Sequence, residues 1–419
     1  MNGEASAPAA SRRAAPAISC RELVLTFLKL GSIGFGGGMA MIAMMEHEFV
    51  SKRRLMKSEE FLHGVGLGQL LGPFATNTAF FIGYRLHGLM GGVLSGTALM
   101  FPSLVAAIIL SWLYFAYQAL PGMQSVVGGL GPVVIALILN AAWTMARRAL
   151  HSWPAALLSA LALAAGVSRL NPIAVLFMAG AFGLAVGKRR LSGASSQAQA
   201  QAAGNPVNPA APPAATERSA VPGEHETRRS GIGFSLAAVQ GLGIAGGASL
   251  WQLAVVFFKV GCVFFGGGFV LIPVLHRTLV LNLHWLNAQE FIDGIAISNL
   301  TPGPMAVLAT FAGYRLLGIA GALVATAALF LPGTALTFIL THQYERMRGG
   351  AKAQDFLAGV VPAVIGLILS AGVLLSKQTM RSWQDCAVSA VCLMLMIRWR
   401  VPPVFVLALG ALAGALGLR

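Results

Sequence analysis

Four stretches of the chain carry no charged side chain: Val93 to Ala119, Val126 to Trp143, Gly318 to Thr341 and Phe356 to Ser376. A helix needs roughly 20 apolar residues to cross a bilayer. These four segments alone therefore predict a multi-spanning membrane protein. The whole pattern gives six hydrophobic segments in the first half, near 23–45, 61–84, 88–117, 125–145, 152–168 and 171–187, and a matching set after residue 251. The expected fold class is an all-α polytopic membrane protein with two homologous helical halves.

Two polar stretches punctuate the pattern. Residues 1–19 are rich in Ala, Pro and Ser and lack the apolar core of a signal peptide, so they read as a disordered cytoplasmic tail. Residues 188–231 are Ala, Pro, Gln and Ser edged by basic clusters, and read as a cytoplasmic linker. The chain thus divides into a tail (1–19), a first membrane domain (20–187), a linker (188–231) and a second membrane domain (232–419).

Composition agrees with lipid as the solvent. Of 419 residues, 56% are hydrophobic and 10% charged, against about a quarter charged in a soluble domain. The net charge of +15 would suggest nucleic acid in a soluble protein. Here the positive-inside bias accounts for it, so no nucleic-acid partner is expected. Cys20, Cys262, Cys386 and Cys392 form no CxxC pair, and His47 between Glu46 and Glu48 lacks ligand spacing, so neither a metal nor another cofactor is expected. The absence of a GxxxxGK[ST] motif removes an ATP motor of its own. A nucleophile–base or metal constellation is also missing, which argues against an enzyme.

The halves repeat at a shift of 230 positions. This register pairs Lys29 with Lys259, Phe35-Gly36-Gly37-Gly38 with Phe265-Gly266-Gly267-Gly268, Glu60-Phe61 with Glu290-Phe291, Gly83-Tyr84-Arg85-Leu86 with Gly313-Tyr314-Arg315-Leu316, and Pro102 with Pro332. Internal duplication is the usual construction of secondary transporters. With six crossings per half, Arg346, Arg348, Lys352, Arg398 and Arg400 would fall outside the cell. A thirteenth span over Ile232 to Leu250 would invert the second half and return them to the cytoplasm, and this inverted arrangement is the expected one.

Each half holds two features that a plain membrane helix avoids. The first is the triple glycine, Gly36 to Gly38 and Gly266 to Gly268, which costs about 1 kcal/mol per glycine in a helix interior. It either unwinds and offers backbone N–H groups to an anion, or lets helices pack closely. The second is a Gly/Pro break, Asn299-Leu300-Thr301-Pro302-Gly303-Pro304, with the counterpart Gln69-Leu70-Leu71-Gly72-Pro73-Phe74 followed by Thr76, Asn77 and Thr78. Such a break is either a simple kink or a half-helix whose positive N-terminal end faces a cavity. Lys29 and Lys259 could pair with a dianion or snorkel to the interface. Glu60 and Glu290, with Asp293 a turn further on, either complement a helix dipole or couple protons. Arg85 and Arg315 are either interface anchors or oxyanion forks.

With these residues together, the sequence resembles the chromate ion transporter family in its long, two-domain form. The resemblance rests on Phe27-x-Lys29-x-Gly31-x3-Phe35-Gly36-Gly37-Gly38 and its twin from Phe257, on Trp285-Leu286-x3-Glu290-Phe291, on Thr301-Pro302-Gly303-Pro304, and on Gly313-Tyr314-Arg315. It implies chromate export across the bacterial inner membrane, conferring resistance. Sulfate has the same shape and charge, and a sulfate or other anion transporter is the alternative. The candidate substrate residues are Lys29, Gly36, Gly37, Gly38, Asn77, Arg85, Lys259, Gly266, Gly267, Gly268, Asn299, Pro302, Gly303, Pro304 and Arg315, with Glu60 and Glu290 as proton-coupling candidates. The first half departs from the family's Pro-Gly-Pro with Leu71-Gly72-Pro73, which weights the site toward the second half. The partners expected are an oxyanion and the lipid bilayer, with homo-oligomers compatible.

Overall fold

A computed structural model describes residues 18–34, 38–70, 72–118, 121–187, 249–263, 271–343, 351–380 and 382–415. Residues 1–17 of the tail, the whole linker and residues 232–248 of the thirteenth-span segment lie outside the described residues, as do Gly36, Gly37 and Gly266 to Gly268. The described residues form helices and connecting turns, with no strand among them.

The first half contains α1 (Cys20–Ile33), α2 (Gly38–Glu46, continued by a π-helical turn His47–Lys52), α3 (Ser58–Leu70), α4 (Phe74–Tyr117), α5 (Pro121–Ala149), α6 (Trp153–Val167) and α7 (Pro172–Val186). The second contains α8 (Leu250–Cys262), α9 (Leu271–Leu275, continued by a π-helical turn His276–Asn282), α10 (Ala288–Leu300), α11 (Leu308–Gln343), α12 (Ala351–Thr379), α13 (Trp383–Arg398) and α14 (Pro403–Ala415). Four helical stretches are long and apolar enough to cross a membrane: Phe74–Tyr117, Val127–Arg147, Met305–Thr341 and Ala358–Thr379.

The helix α4 is not one rod. His87 and Gly88 leave helical geometry, Gly88 at φ +65°. A Cβ added to Gly83 would lie 2.2 Å from the carbonyl oxygen of Gly91, and one on Gly96 would meet the ring of Phe80 at 2.3 Å. In a straight helix Phe80 and Gly96 would be about 24 Å apart. The chain therefore folds back at 87–88 into a short arm, 74–86, and a long arm, 89–117. The same turn recurs in α11 at Leu317 and Gly318, where the side chains of Thr310 and Thr326 meet at 2.7 Å across the fold.

Two further reversals precede it. The helix α3 packs back against the short arm of α4, with Gly64 on Phe81 and Glu60 ion-paired to Arg85. Phe27 of α1 stacks on Phe49 of the turn after α2 at 4.9 Å, and Glu22 pairs with Arg53. Each half thus begins with two re-entrant hairpins. Their arms are about 20 Å long, short of a hydrocarbon core of about 30 Å. Among the described residues, Gly72-Pro73 and Pro302-Gly303-Pro304 form the tips of the second hairpin in each half, and Glu22–Arg53, Glu60–Arg85 and Glu290–Arg315 pair at hairpin bases. The segments 23–45 and 61–84, expected as crossings, are these hairpins. Glycine and proline stop each helix before it can span.

The long arm of α4 measures the orientation of the halves. At its start His87 Nε2 lies 2.7 Å from the carbonyl of Ile18, at the base of the first-half hairpins. Near its end, Tyr114 and Phe115 contact Asp293, Phe311 and Tyr314, at the base of a second-half hairpin. Reciprocally, Phe338 near the end of α11 packs on Phe80 and Tyr84. The hairpin bases of the two halves therefore lie at opposite ends of one spanning helix, and the halves are inverted. The helices α5 and α12 say the same. Gly131 faces Thr379 while Gly372 faces Ile138 and Leu139, so these equivalent helices run antiparallel.

The halves are also intertwined. A Cβ on Gly359 of α12 would lie 2.0 Å from the carbonyl oxygen of Ala179 in α7, and one on Gly366 would lie 2.1 Å from that of Ser159 in α6. In the symmetric contact a Cβ on Gly129 of α5 would lie 2.2 Å from the carbonyl oxygen of Gly410 in α14. Each long helix is clasped by the other half's terminal helix pair, and one core runs through α5, α10, α11 and α12. Gly187 and Ser249, which flank the linker, consequently lie at opposite faces of the molecule.

The repeat is not strictly ungapped. The left-handed glycines Gly72 (φ +123°) and Gly303 (φ +119°) correspond at a shift of 231, whereas the folds at Gly88 and Gly318 return to 230. The second half carries one more residue before its tip and one fewer after it. This brings Gly72-Pro73 into correspondence with Gly303-Pro304.

Candidate functional site

The described tips of three hairpins, two of the first half and one of the second, meet inside the molecule. The N–H of Gly303 donates to the carbonyl of Gly34 at 3.2 Å, joining the Gly/Pro tip of the second half to the end of α1. Ser103, midway along the long arm of α4, donates to the carbonyl of Pro302. Gly38 lies against the ring of Phe74, so the first-half tips touch each other as well. Only glycine fits at 303. Its φ disfavours any other L residue, and a Cβ there would lie 2.0 Å from Ser103 Oγ.

Two short helical arms start at this junction. The short arm of α4 begins after Pro73 with no side-chain cap. In the second half Pro304 likewise caps nothing before the turn Met305–Val307 and α11. The first N–H groups of an uncapped helix are unsatisfied, and they carry partial positive charge. In the first turn of the α4 short arm stand Thr76 and Asn77, both fully buried. Thr76 Oγ1 and both polar atoms of the Asn77 amide have no hydrogen-bond partner among the described residues. Such groups cost about 1–3 kcal/mol each when left unmade. A buried amide and hydroxyl beside an uncapped helix start form a donor set suited to an oxyanion.

The other expected residues are distributed differently. Asn299 donates to the carbonyl of Ile295 at 2.8 Å, within its own helix, while Thr301, Pro302 and Pro304 are buried at the tip. Lys29 and Lys259 project from the exposed faces of α1 and α8, away from the buried stripes Leu23–Phe27–Leu30 and Leu253–Phe257–Val260. Arg85 and Arg315 do not reach the tips. They pair with Glu60 and Glu290, the expected proton carriers, at the hairpin bases. The two expected roles thus fall on the two ends of one ion pair, because an antiparallel hairpin brings residues 25 positions apart together.

Sequence reading gave Ser103 and Tyr114 no weight. Ser103, Ser111 and Tyr114 lie on one buried face of the long arm of α4. Tyr114 donates to Asp293 Oδ2 at 2.7 Å, and Gln289 donates to Asp293 Oδ1 at 2.9 Å. Hydroxyl groups spaced eight and three apart on one face of an apolar helix were the available signal.

Inverted repeats with broken helices whose ends converge inside the molecule are a construction of multi-pass membrane transport proteins. A family model described as "Chromate transporter" matches residues 21–184 and again 251–415. The chain belongs to the chromate transporter family. It is 28% identical to a "Probable chromate transport protein" of Synechococcus elongatus, over 96% of both chains. It is 30% identical to a "Chromate transport protein" of Cupriavidus metallidurans, over 94% of this chain and 91% of that one. A "Chromate transport protein" of Pseudomonas aeruginosa is 30% identical over 84% of this chain and 80% of its own length. No solved structure matches the chain.

Proposed function

We propose that the protein exports chromate across the bacterial inner membrane, binding it where the hairpin tips meet. The observation that carries this reading is Asn77. Its amide is fully buried with both polar atoms unpartnered, in the first turn of an uncapped half-helix. In this reading Asn77 Nδ2, Thr76 Oγ1 and the free N–H groups of the short arm coordinate the oxyanion, and Gly303 and Pro302 form the opposite wall.

The membrane potential supports the outward direction. Moving two negative charges out of a negative interior releases about 4–5 kcal/mol per 100 mV. The N-terminal tail and first-half hairpin bases, with Arg21, Lys52, Arg53, Arg54 and Lys57, then face the cytoplasm, as the positive-inside bias favours. Glu60–Arg85 and Glu290–Arg315 hold the hairpins at their bases, and proton exchange adds a second driving force.

The test is chromate and sulfate uptake by inverted membrane vesicles with and without an imposed potential. Potential-dependent chromate accumulation is expected. Accumulation of sulfate in preference to chromate would make this a sulfate transporter, and accumulation of neither would end the oxyanion reading.

A further inference from the structure

The second-half hairpin holds a carboxylate that the ion pairs at the bases do not account for. Asp293 is 1% exposed, five residues into α10 and thus about 7 Å in from the start of that helix. Its oxygens accept from Tyr114 and Gln289. The equivalent position in the first half is His63, so the carboxylate belongs to one half only. The charged groups that interact with Tyr114 are Asp293, Glu290 and Arg315, and Arg315 lies over the ring of Phe115 at 5.5 Å. Tyr314 stacks on the other side of this cluster, and His276 packs on the ring of Phe291 in the same helix.

Tyr114 is one end of a polar file. On the same face of the long arm, one turn back, Ser111 Oγ is fully buried without a hydrogen-bond partner. Two turns further back Ser103 holds the carbonyl of Pro302 at the tip. At the shift of 230 Ser111 matches Thr341 and Tyr114 matches Tyr344, whereas Ser103 matches Gly333, so the hydroxyls recur in the sequence and the serine at the tip belongs to one half only.

We propose that Asp293 is the proton carrier of the transport cycle, and that its charge controls how firmly the second-half hairpin is held to α4. This rests on the transport reading above. A proton entering from the face of the second-half base binds a carboxylate oxygen of Asp293 and leaves again from that oxygen, so no other bond is made or broken. Ionised, Asp293 takes the charge-assisted hydrogen bond from Tyr114 and fixes α10 against the long arm. Protonated, it accepts that bond less strongly, and the hairpin loosens while its tip, about 12 Å along α10, stays tethered to Ser103. Proton binding at the base is thereby linked to the position of Pro302 and Gly303 at the oxyanion site.

The test uses the full chain purified into liposomes, with chromate flux driven either by a potassium-diffusion potential or by a pH gradient, and internal pH followed by a trapped dye. In Asp293→Asn the chromate-coupled proton signal and the response to a pH gradient are expected to be lost, while potential-driven flux persists. Tyr114→Phe removes one donor to the ionised carboxylate and is expected to move the pH profile of flux upward by about one unit. This second variant decides the matter if Asp293→Asn does not reach the membrane. Intact proton coupling in Asp293→Asn, or an unmoved pH profile in Tyr114→Phe, overturns the assignment. Flux without any proton coupling in the unmodified chain does so as well. Absence of any chromate flux in the unmodified chain overturns the transport reading itself, and the assignment with it.

Discussion

Arg315 Nε donates to Glu290 Oε1 at 2.7 Å, although the two residues are 25 positions apart and belong to different helices. The pair closes the base of a re-entrant hairpin whose tip lies about 16 Å away along α10. Its first-half counterpart, Arg85 with Glu60, closes the other hairpin of this kind at the opposite face.

The two pairs differ in burial, and their deletion should differ accordingly. The Glu290 side chain is 10% exposed and that of Arg315 is 25% exposed, against 29% and 46% for Glu60 and Arg85. Arg315→Ala leaves a buried carboxylate uncompensated and is expected to cost about 2–4 kcal/mol. Arg85→Ala is expected to cost about 1 kcal/mol or less. Thermal unfolding in detergent compares them, and equal losses would show that burial is not what separates the pairs.

Asn77→Leu should separate stability from transport. Removing an unsatisfied buried amide is expected to leave stability unchanged or raise it by about 1 kcal/mol. Chromate flux should fall at least about tenfold if the amide contacts the ion. A variant that is less stable, yet transports normally, would show that the amide is structural.

Gly303→Ala should abolish transport through both backbone and steric effects. The left-handed φ costs about 1–3 kcal/mol for an L residue, and the new methyl would collide with Ser103 Oγ. Gly66→Ala is the control, since a Cβ there meets nothing within 4 Å. Flux assays on both variants distinguish a local tip defect from a general intolerance of alanine.

The intertwining of the halves predicts that they survive a cut between them. A protease site placed between residues 191 and 231, cleaved after purification in mild detergent, should leave two fragments that co-elute in size exclusion. Gly359→Leu should separate them by forcing α12 away from α7, because a Cβ at 359 already overlaps the Ala179 carbonyl. Independent elution of the unmodified fragments would contradict the clasp.

Inversion predicts opposite labelling of equivalent turns. Arg54 and His284 are both left-handed residues following a π-helical turn, at φ +51° in each half. Cysteines introduced at these two positions should react with an impermeant thiol reagent from opposite sides of sealed vesicles. Labelling from one side would mean parallel halves.

The membrane class, the duplication, the breaks at Gly72-Pro73 and Pro302-Gly303-Pro304 and the preference for inverted halves were legible in the sequence. These follow from local chemistry: charge cannot lie in lipid, proline lacks an N–H, and a duplicated register is visible wherever residues are compared. What the breaks do was not legible. A Gly/Pro interruption fits a kinked span as well as a chain reversal, and only packing chooses between them. Gly64 on Phe81 and Gly83 on Gly91 record that choice. The ion pairs moved for the same reason. Glu60 and Arg85 look like separate candidates along a chain, but an antiparallel fold makes them one contact. Asp293 and Tyr114 lie 179 residues apart, and no local pattern links a carboxylate in one half to a phenol in the other. The sequence by itself determined which segments enter the membrane and where their helices fail. Tertiary structure alone decided that the failures converge on one another, because burying unsatisfied backbone ends in lipid leaves each tip no better partner than another tip.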